Sequence, residues 1–354
     1  MTIPETNKTS FGSGQIQYLK YLRSVATIIV VMLHVLYSGA GLNRGTISAT
    51  QNLWTMLVVN ASMYAVPLFV MVSGALLLDP SRDMSLRKIY QKYILRAVTA
   101  LVIFGFIYRI FDMIMDGEDM CLSNLFYACY EIVTASGWSH LWYIYLLIGL
   151  YILLPFYRMI ALHLSKNDAV YLCTVYLIFL SILPFVENYV PVGFYIHVST
   201  IYPFYFFLGY LINKNIFNIS FMSGVALFFG GLLVSLIATY FTDQHSIEAL
   251  TYFSGYSSIS TVMQSIGLFS IFHNMSPSGN YLVNVIDRNS FGIYLIHMIF
   301  VRLILRYMSV NPYTSSPVET VIIYVCLIAG ISIVSCAISQ LLKMLPPIKV
   351  MIYK

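Results

Sequence analysis

The sequence predicts an all-α integral membrane protein of about ten transmembrane helices in one bundle, with both termini cytoplasmic. Three observations predict it. The 354 residues are 59% hydrophobic and only 9% charged, with a mean hydropathy of +0.80, whereas about a quarter of a soluble chain is charged. Ten apolar runs reach or approach the roughly 20 residues that a bilayer core requires. The Lys and Arg residues between those runs fall on alternate loops, the signature of a cytoplasmic side.

Residues 1–18 read as a short polar cytoplasmic tail. The first apolar run is too long for the core of a cleavable leader. The predicted spans are 19–41, 52–78, 93–115, 140–160, 169–187, 198–213, 221–241, 251–273, 290–309 and 318–342. The sixth is short. The eighth is rich in Ser and suits the lining of a polar cavity better than a lipid face. Pro67, Pro155, Pro184 and Pro203 lie in or near span ends, where they kink helices and free backbone carbonyls. Residues 19–345 carry no internal repeat or linker and read as one membrane domain. Residues 346–354 form a short basic C-terminal tail.

Loop charges orient the chain. Lys8 and Lys20, then Arg82, Arg87, Lys88 and Lys92, then Arg158 and Lys166, Lys214, Arg288, and finally Lys343, Lys349 and Lys354 all fall on one side of a ten-span chain. The opposite loops carry Asp116, Glu118, Asp119, Glu131, Glu187, Asp243 and Glu248, with Arg44 as the exception. Deleting the eighth span would put the C-terminal lysines outside, so the charges argue for keeping it. Nothing in the sequence points to nucleic acid: no basic cluster interleaved with aromatics occurs outside the spans. Cys121, Cys129, Cys173, Cys326 and Cys336 lack metal-ligand spacing and read as buried small apolar residues. No metal site is expected.

The first span carries the chemistry. An ionisable side chain inside a membrane segment costs on the order of 3 kcal/mol and marks function by default. Past Lys20 at its cytoplasmic end, this span has two, Arg23 and His34. Eleven residues of helix turn about 20° past three full turns, so the two share one face, roughly 16 Å apart along the axis. Arg23 also suits an anchor that snorkels to the interface, and His34 a packed, hydrogen-bonded core residue. Otherwise His34 is a general base, for which a neutral imidazole is the natural group. A cation and an imidazole on one stripe suit a long ligand, charged at one end and reactive at the other. Elsewhere, His140 and Tyr143 open the fourth span within Ser136-Gly137-Trp138-Ser139-His140-Leu141-Trp142-Tyr143, a run that equally suits an interfacial aromatic belt. Tyr294 and His297, three residues apart in the ninth span, share a face. Arg109 and Asp112 are placed to pair on the third span.

Four motifs in order resemble those of the membrane acyltransferase 3 family. They are Arg23, ten residues, then His34; VPLFVMVSGALLL over 66–78; SHLWYIYLLIGLYILLP over 139–155; and SFGIYLIH over 290–297. Together they cover essentially the whole chain. Its size and single-domain plan resemble the short bacterial O-acetyltransferases of surface glycans, of the enterobacterial common antigen type. The resemblance implies an acyl-CoA donor, usually acetyl-CoA, entering from the cytoplasm, and an acceptor hydroxyl on an envelope carbohydrate. It also implies an R-x-x-R pair entering the third span. Arg96 matches one member, while Tyr93 stands at the other with Lys92 beside it. Arg23, Arg96 and Lys92 are then the expected donor-binding cations, His34 and Arg23 the catalytic pair, and His140, Tyr143, Tyr294 and His297 the candidates for the acceptor or the oxyanion. Two other readings compete on sequence alone: a transporter or flippase of a lipid-linked glycan, and a membrane receptor. The first lacks the inverted repeat expected of such a fold. The second lacks any extramembrane module longer than about 25 residues, the loop over 116–139.

Overall fold

A computed structural model describes residues 13–119, 121–187, 189–190, 200–245, 253, 255–275, 277–345 and 348. The described residues form helices: α1 Ser13–Leu42, α2 Ala49–Ala61, α3 Ala65–Leu77, α4 Leu86–Asp116, α5 Leu122–Thr134, α6 Ser139–His163, α7 Lys166–Glu187, α8 Tyr202–Asn213, α9 Phe221–His245, α10 Ile259–Met275, α11 Tyr281–Tyr307 and α12 Pro317–Leu342. Eight helical stretches among them are long and apolar enough to cross a membrane, with α2 and α3 counted together. The chain is a multi-pass membrane protein. The expected sixth and eighth spans appear as α8 and α10, of 12 and 17 residues. The starts of these two expected spans, with residues 1–12 and most of the basic tail over 346–354, lie outside the described residues.

Contacts divide the chain into two units. One holds residues 1–82 and 158–290, the other 83–157 and 291–354. In the first unit, α8 is buried on every side from Pro203 to Asn213. An all-round apolar helix belongs in a core. It crosses α3 at backbone contact. A Cβ on Gly74 would lie 1.8 Å from the Phe206 carbonyl oxygen, and one on Gly209 would lie 1.9 Å from that of Met71. The expectation that Gly74 serves close packing is met here. The second expected span is broken rather than bent: Ser62 caps the end of α2, and α3 resumes at Ala65, with Pro67 in its first turn.

The serines of α10 pack inward. Ser258, Ser260, Thr261, Gln264, Ser265 and Ser270 are buried. Ser258 donates to Thr261 Oγ1 (2.9 Å), Ser265 to the Thr261 carbonyl (2.6 Å) and Gln264 to the Ala61 carbonyl (3.0 Å). These bonds answer the cost of placing hydroxyls and an amide in an apolar interior.

In the second unit, α5 occupies a loop where no helix was expected. Three contacts hold it. Tyr145 donates to the Ile132 carbonyl (2.5 Å), Arg109 lies over Tyr127 (5.4 Å to the ring centre), and Gly105 leaves room for Ile132, which a Cβ there would strike at 2.6 Å. The expected Arg109–Asp112 pair does not form. Gly117 takes a left-handed turn (φ 71°) and brings Glu118 back to Arg109 (2.5 Å), while Asp112 pairs with Arg302 of α11 (2.6 Å). The cysteines also differ from expectation. All are free thiols, none is buried, and Cys129 and Cys326 are exposed.

Candidate active site

α1 is one unbroken helix, so the eleven-residue spacing of Arg23 and His34 keeps both on one stripe. His34 is half-buried. Its Nδ1 lies 2.9 Å from the Val30 carbonyl oxygen. A carbonyl only accepts, so Nδ1 carries the proton and Nε2 the lone pair. The ring is thus held in the tautomer that a base requires.

Arg23 has a partner that the sequence reading missed. Its Nη1 lies 3.3 Å from Asp287 Oδ1 on α11. The seam continues on both sides, with Lys20 donating to Asn284 (3.0 Å) and Ser24 to the Val283 carbonyl (3.0 Å). A signal existed: an acid one turn or more into an apolar segment needs a cation, and Asp287 was passed over for its neighbour Arg288.

The second unit gathers the four remaining histidine and tyrosine candidates. Tyr294 Oη donates to the His140 carbonyl (2.6 Å), Tyr143 packs edge-on against Tyr294 (5.6 Å between ring centres), and the His140 and His297 rings lie 5.7 Å apart. Tyr108 joins them. Its hydroxyl donates to the Leu295 carbonyl, and His140 Nε2 lies 2.9 Å from the Tyr108 hydroxyl oxygen. With its one proton given to Leu295, Tyr108 must accept from His140, so His140 carries its proton on Nε2. His297 is the reverse. Its Nδ1 donates to the carbonyls of Ile293 (3.1 Å) and Tyr294 (2.8 Å). Trp138 closes the group: Tyr108 stacks on one face (4.3 Å), the Arg302 guanidinium lies 3.9 Å from its ring centre, and its Nε1–H donates to Asp112 (2.6 Å).

Arg96 lies over Phe291 (5.4 Å), one turn before Tyr294. Lys92 is exposed within a π-helical stretch, Ile89–Ile94, while Tyr93 packs on Tyr151 (5.5 Å). Among the described residues, no group of three His, Cys, Asp or Glu is arranged to hold a metal ion.

The Acyl_transf_3 family, described as an acyltransferase domain, matches residues 16–340. The chain belongs to this family. It is an acyltransferase, which sets aside transport and reception as its principal activity. No curated protein and no solved structure matches it. Both parts of the acyltransferase described above, the Arg23–His34 stripe and the histidine–tyrosine group, lie inside the matched residues.

Proposed function

We propose that this acyltransferase moves a short acyl group, acetyl in the first instance, from cytoplasmic acyl-CoA to a hydroxyl of an envelope carbohydrate. The observation that carries the reading is the His34 tautomer, with Nδ1–H bound to the Val30 carbonyl and the lone pair on Nε2. In the proposed reaction, Nε2 takes the proton of the acceptor hydroxyl as its oxygen attacks the thioester carbonyl carbon. The carbon–sulfur bond breaks, and the leaving thiolate takes that proton back from the imidazolium. A positioned base of this kind contributes about 10²–10⁴ in rate.

The residues also suit the donor's charged end. Arginine forks match phosphate oxygens, and Arg23 remains 28% exposed beside Asp287. The bacterial cytoplasmic membrane is the proposed location, with the termini inside. The test is direct. Purified protein receives radiolabelled acetyl-CoA and envelope glycan. His34→Ala loses at least about a hundredfold in transfer while eluting as a folded monodisperse protein. Full activity in that variant overturns the mechanism.

A further inference from the structure

In the second unit the chain turns back on itself after α4. That helix ends at Asp116, and Gly117 reverses it in the left-handed region (φ 71°). α5 then returns along α4. Arg109 lies over the Tyr127 ring (5.4 Å to its centre), and the Ile132 side chain lies 2.6 Å from where a Cβ on Gly105 would stand. A step from Tyr127 forward to Ile132 on α5 is thus a step from Arg109 back to Gly105 on α4. The two helices are antiparallel, and α5 descends beside a membrane span rather than leading away from it.

The helix rise sets the depth. About 20 residues cross the hydrocarbon core, so a core that begins near Lys92 on α4 ends near Asp112. Gly105 is then roughly 10 Å inside the far edge. The end of α5 that packs on Gly105 shares that depth. Asp116, Glu118 and Asp119 lie at the shallow end, where charge belongs.

Two independent features of α5 suit hydrocarbon. The first is its outer face. Leu122, Phe126, Cys129, Tyr130 and Val133 fall within about 100° of helical arc and are all exposed, Val133 to 83%. The helix has no Lys or Arg. Its one acid, Glu131, is on the opposite side, with its Cβ 3.5 Å from where a Cβ on Gly137 would stand. The second feature is its deep end. The last carbonyls of a helix have no partner within it and turn to water where water is present; inside a bilayer they need partners from the protein. Here the Glu131 carbonyl accepts from the Ala135 and Ser136 N–H groups, and the Ile132 carbonyl from Tyr145 Oη (2.5 Å). The Thr134 hydroxyl is satisfied too, donating to the Tyr130 carbonyl (2.8 Å).

We infer that α5 is a re-entrant helix that dips into the leaflet on the side of the acidic loops, with its apolar strip against lipid acyl chains. Much of the loop expected to stand outside the membrane over 116–139 is then within it. The inference needs only that α4 spans the membrane, and is independent of donor and acceptor.

The experiment uses the full chain in phosphatidylethanolamine–phosphatidylglycerol vesicles. A nitroxide is attached at single cysteines in a background without the other native ones: Cys121, Leu122→Cys, Phe126→Cys, Cys129 and Val133→Cys. Electron paramagnetic resonance reads collisions with oxygen, which enters lipid, and with a polar nickel chelate, which stays in water. We expect nickel collisions at Cys129 and at Val133→Cys to be about tenfold below those at Cys121, because a polar complex is excluded from hydrocarbon. Oxygen collisions stay high at both sites, and the oxygen-to-nickel ratio rises from position 122 to position 133. Cys129 is native, so its reading needs no substitution on the strip even where a variant fails to fold. Nickel collisions at Cys129 equal to those at Cys121 place the strip in water and overturn the inference. Low collisions with both reagents overturn it as well, since protein, including a second copy of this chain, then covers the strip. A ratio that does not rise along the helix means that α5 lies flat on the surface, which overturns re-entry.

Discussion

Asp79 is 1% exposed at the end of α3, and three groups converge on it. Lys214 reaches one oxygen (2.8 Å), and the Ser81 backbone N–H (3.0 Å) and hydroxyl (2.9 Å) reach the other. Arg158 braces the same turn by donating to the carbonyls of Leu77 (2.5 Å), Asp79 (2.9 Å) and Arg82 (2.7 Å). A cation at a helix C-terminus is favourable for its own sake. Burial raises the Asp79 carboxyl, but the hydrogen bonds from Lys214 and Ser81 outweigh it and hold it below its usual range. A depressed pKa contributes stability above the unfolded value, about 3.9, and loses it as pH falls through the folded value. Breaking a buried pair costs about 3–5 kcal/mol; Lys214 is 34% exposed and regains water, so we expect about 2 kcal/mol for Asp79→Ala. Its thermal midpoint falls below wild type at pH 7, and the gap narrows below about pH 4. A gap that is constant from pH 7 to pH 3 contradicts the ionic account. At this scale the sequence was legible where cost alone spoke: His34 and Arg23 stand out as ionisable residues in an apolar run. Asp79, Asp287 and Tyr108 did not, and Asp112 was given the wrong partner, because each is explained by a partner supplied from a remote segment, as far as 264 residues away along the Asp287 seam.

Among the elements, the α3–α8 crossing carries the sharpest constraint. The two contacts are reciprocal. Each helix presents a glycine to the carbonyl of the residue three before the other's glycine, Gly74 to Phe206 and Gly209 to Met71. Small residues permit such approach in membrane helices, where packing rather than water drives association. Because the obstacles are backbone atoms, no rotamer change relieves a new methyl group. Gly74→Ala and Gly209→Ala each cost more than about 3 kcal/mol. We expect both to elute as aggregates in detergent size-exclusion chromatography. Gly149→Ala, with nothing within 4 Å of the added carbon, elutes as wild type. Folded Gly209→Ala protein contradicts the crossing. Element by element, the apolar runs located their helices well, since length and hydropathy are local properties. The miss was α5. Leu122, Phe126, Tyr130 and Val133 make an exposed apolar strip at helical spacing, so its period was present, but the flanking Asp116, Glu118 and Asp119 read as a polar loop. What no local pattern carries is that α3 and α8 touch: Gly74 was legible as a packing residue, while its partner helix was not.

For the whole molecule, the question is which helix ends share a side of the membrane. Within the first unit the contacts answer it. Tyr18, near the start of α1, donates to Asn213 at the end of α8 (2.6 Å). His273, at the end of α10, meets Asn215 (3.0 Å), and Asn274 donates to the Ile219 carbonyl before α9 (3.0 Å). Lys20 meets Asn284 early in α11, and Lys214 meets Asp79. The ends that loop charge assigned to the cytoplasm are therefore gathered at one pole of that unit. α8 is only about 18 Å long at 1.5 Å per residue, short of the roughly 30 Å hydrocarbon core, but it is wholly buried and meets protein rather than lipid. A chain in which α8 and α10 failed to cross would set residues 214–220 opposite Asp79, and a 2.8 Å ion pair does not span a bilayer. Ten crossings with both termini inside make a specific prediction. In a variant lacking the native cysteines, Ser220→Cys reacts with a membrane-impermeant maleimide only after cells are permeabilised. In a variant retaining only Cys121, that thiol reacts in intact cells. Hydrogen bonds from the Ser123 side chain and the Asn124 backbone lower its pKa and favour the reactive thiolate. Labelling of Ser220→Cys in intact cells means that α8 does not cross, and it turns the Lys214 side of the chain outward against both the loop charges and the contacts of Asp79.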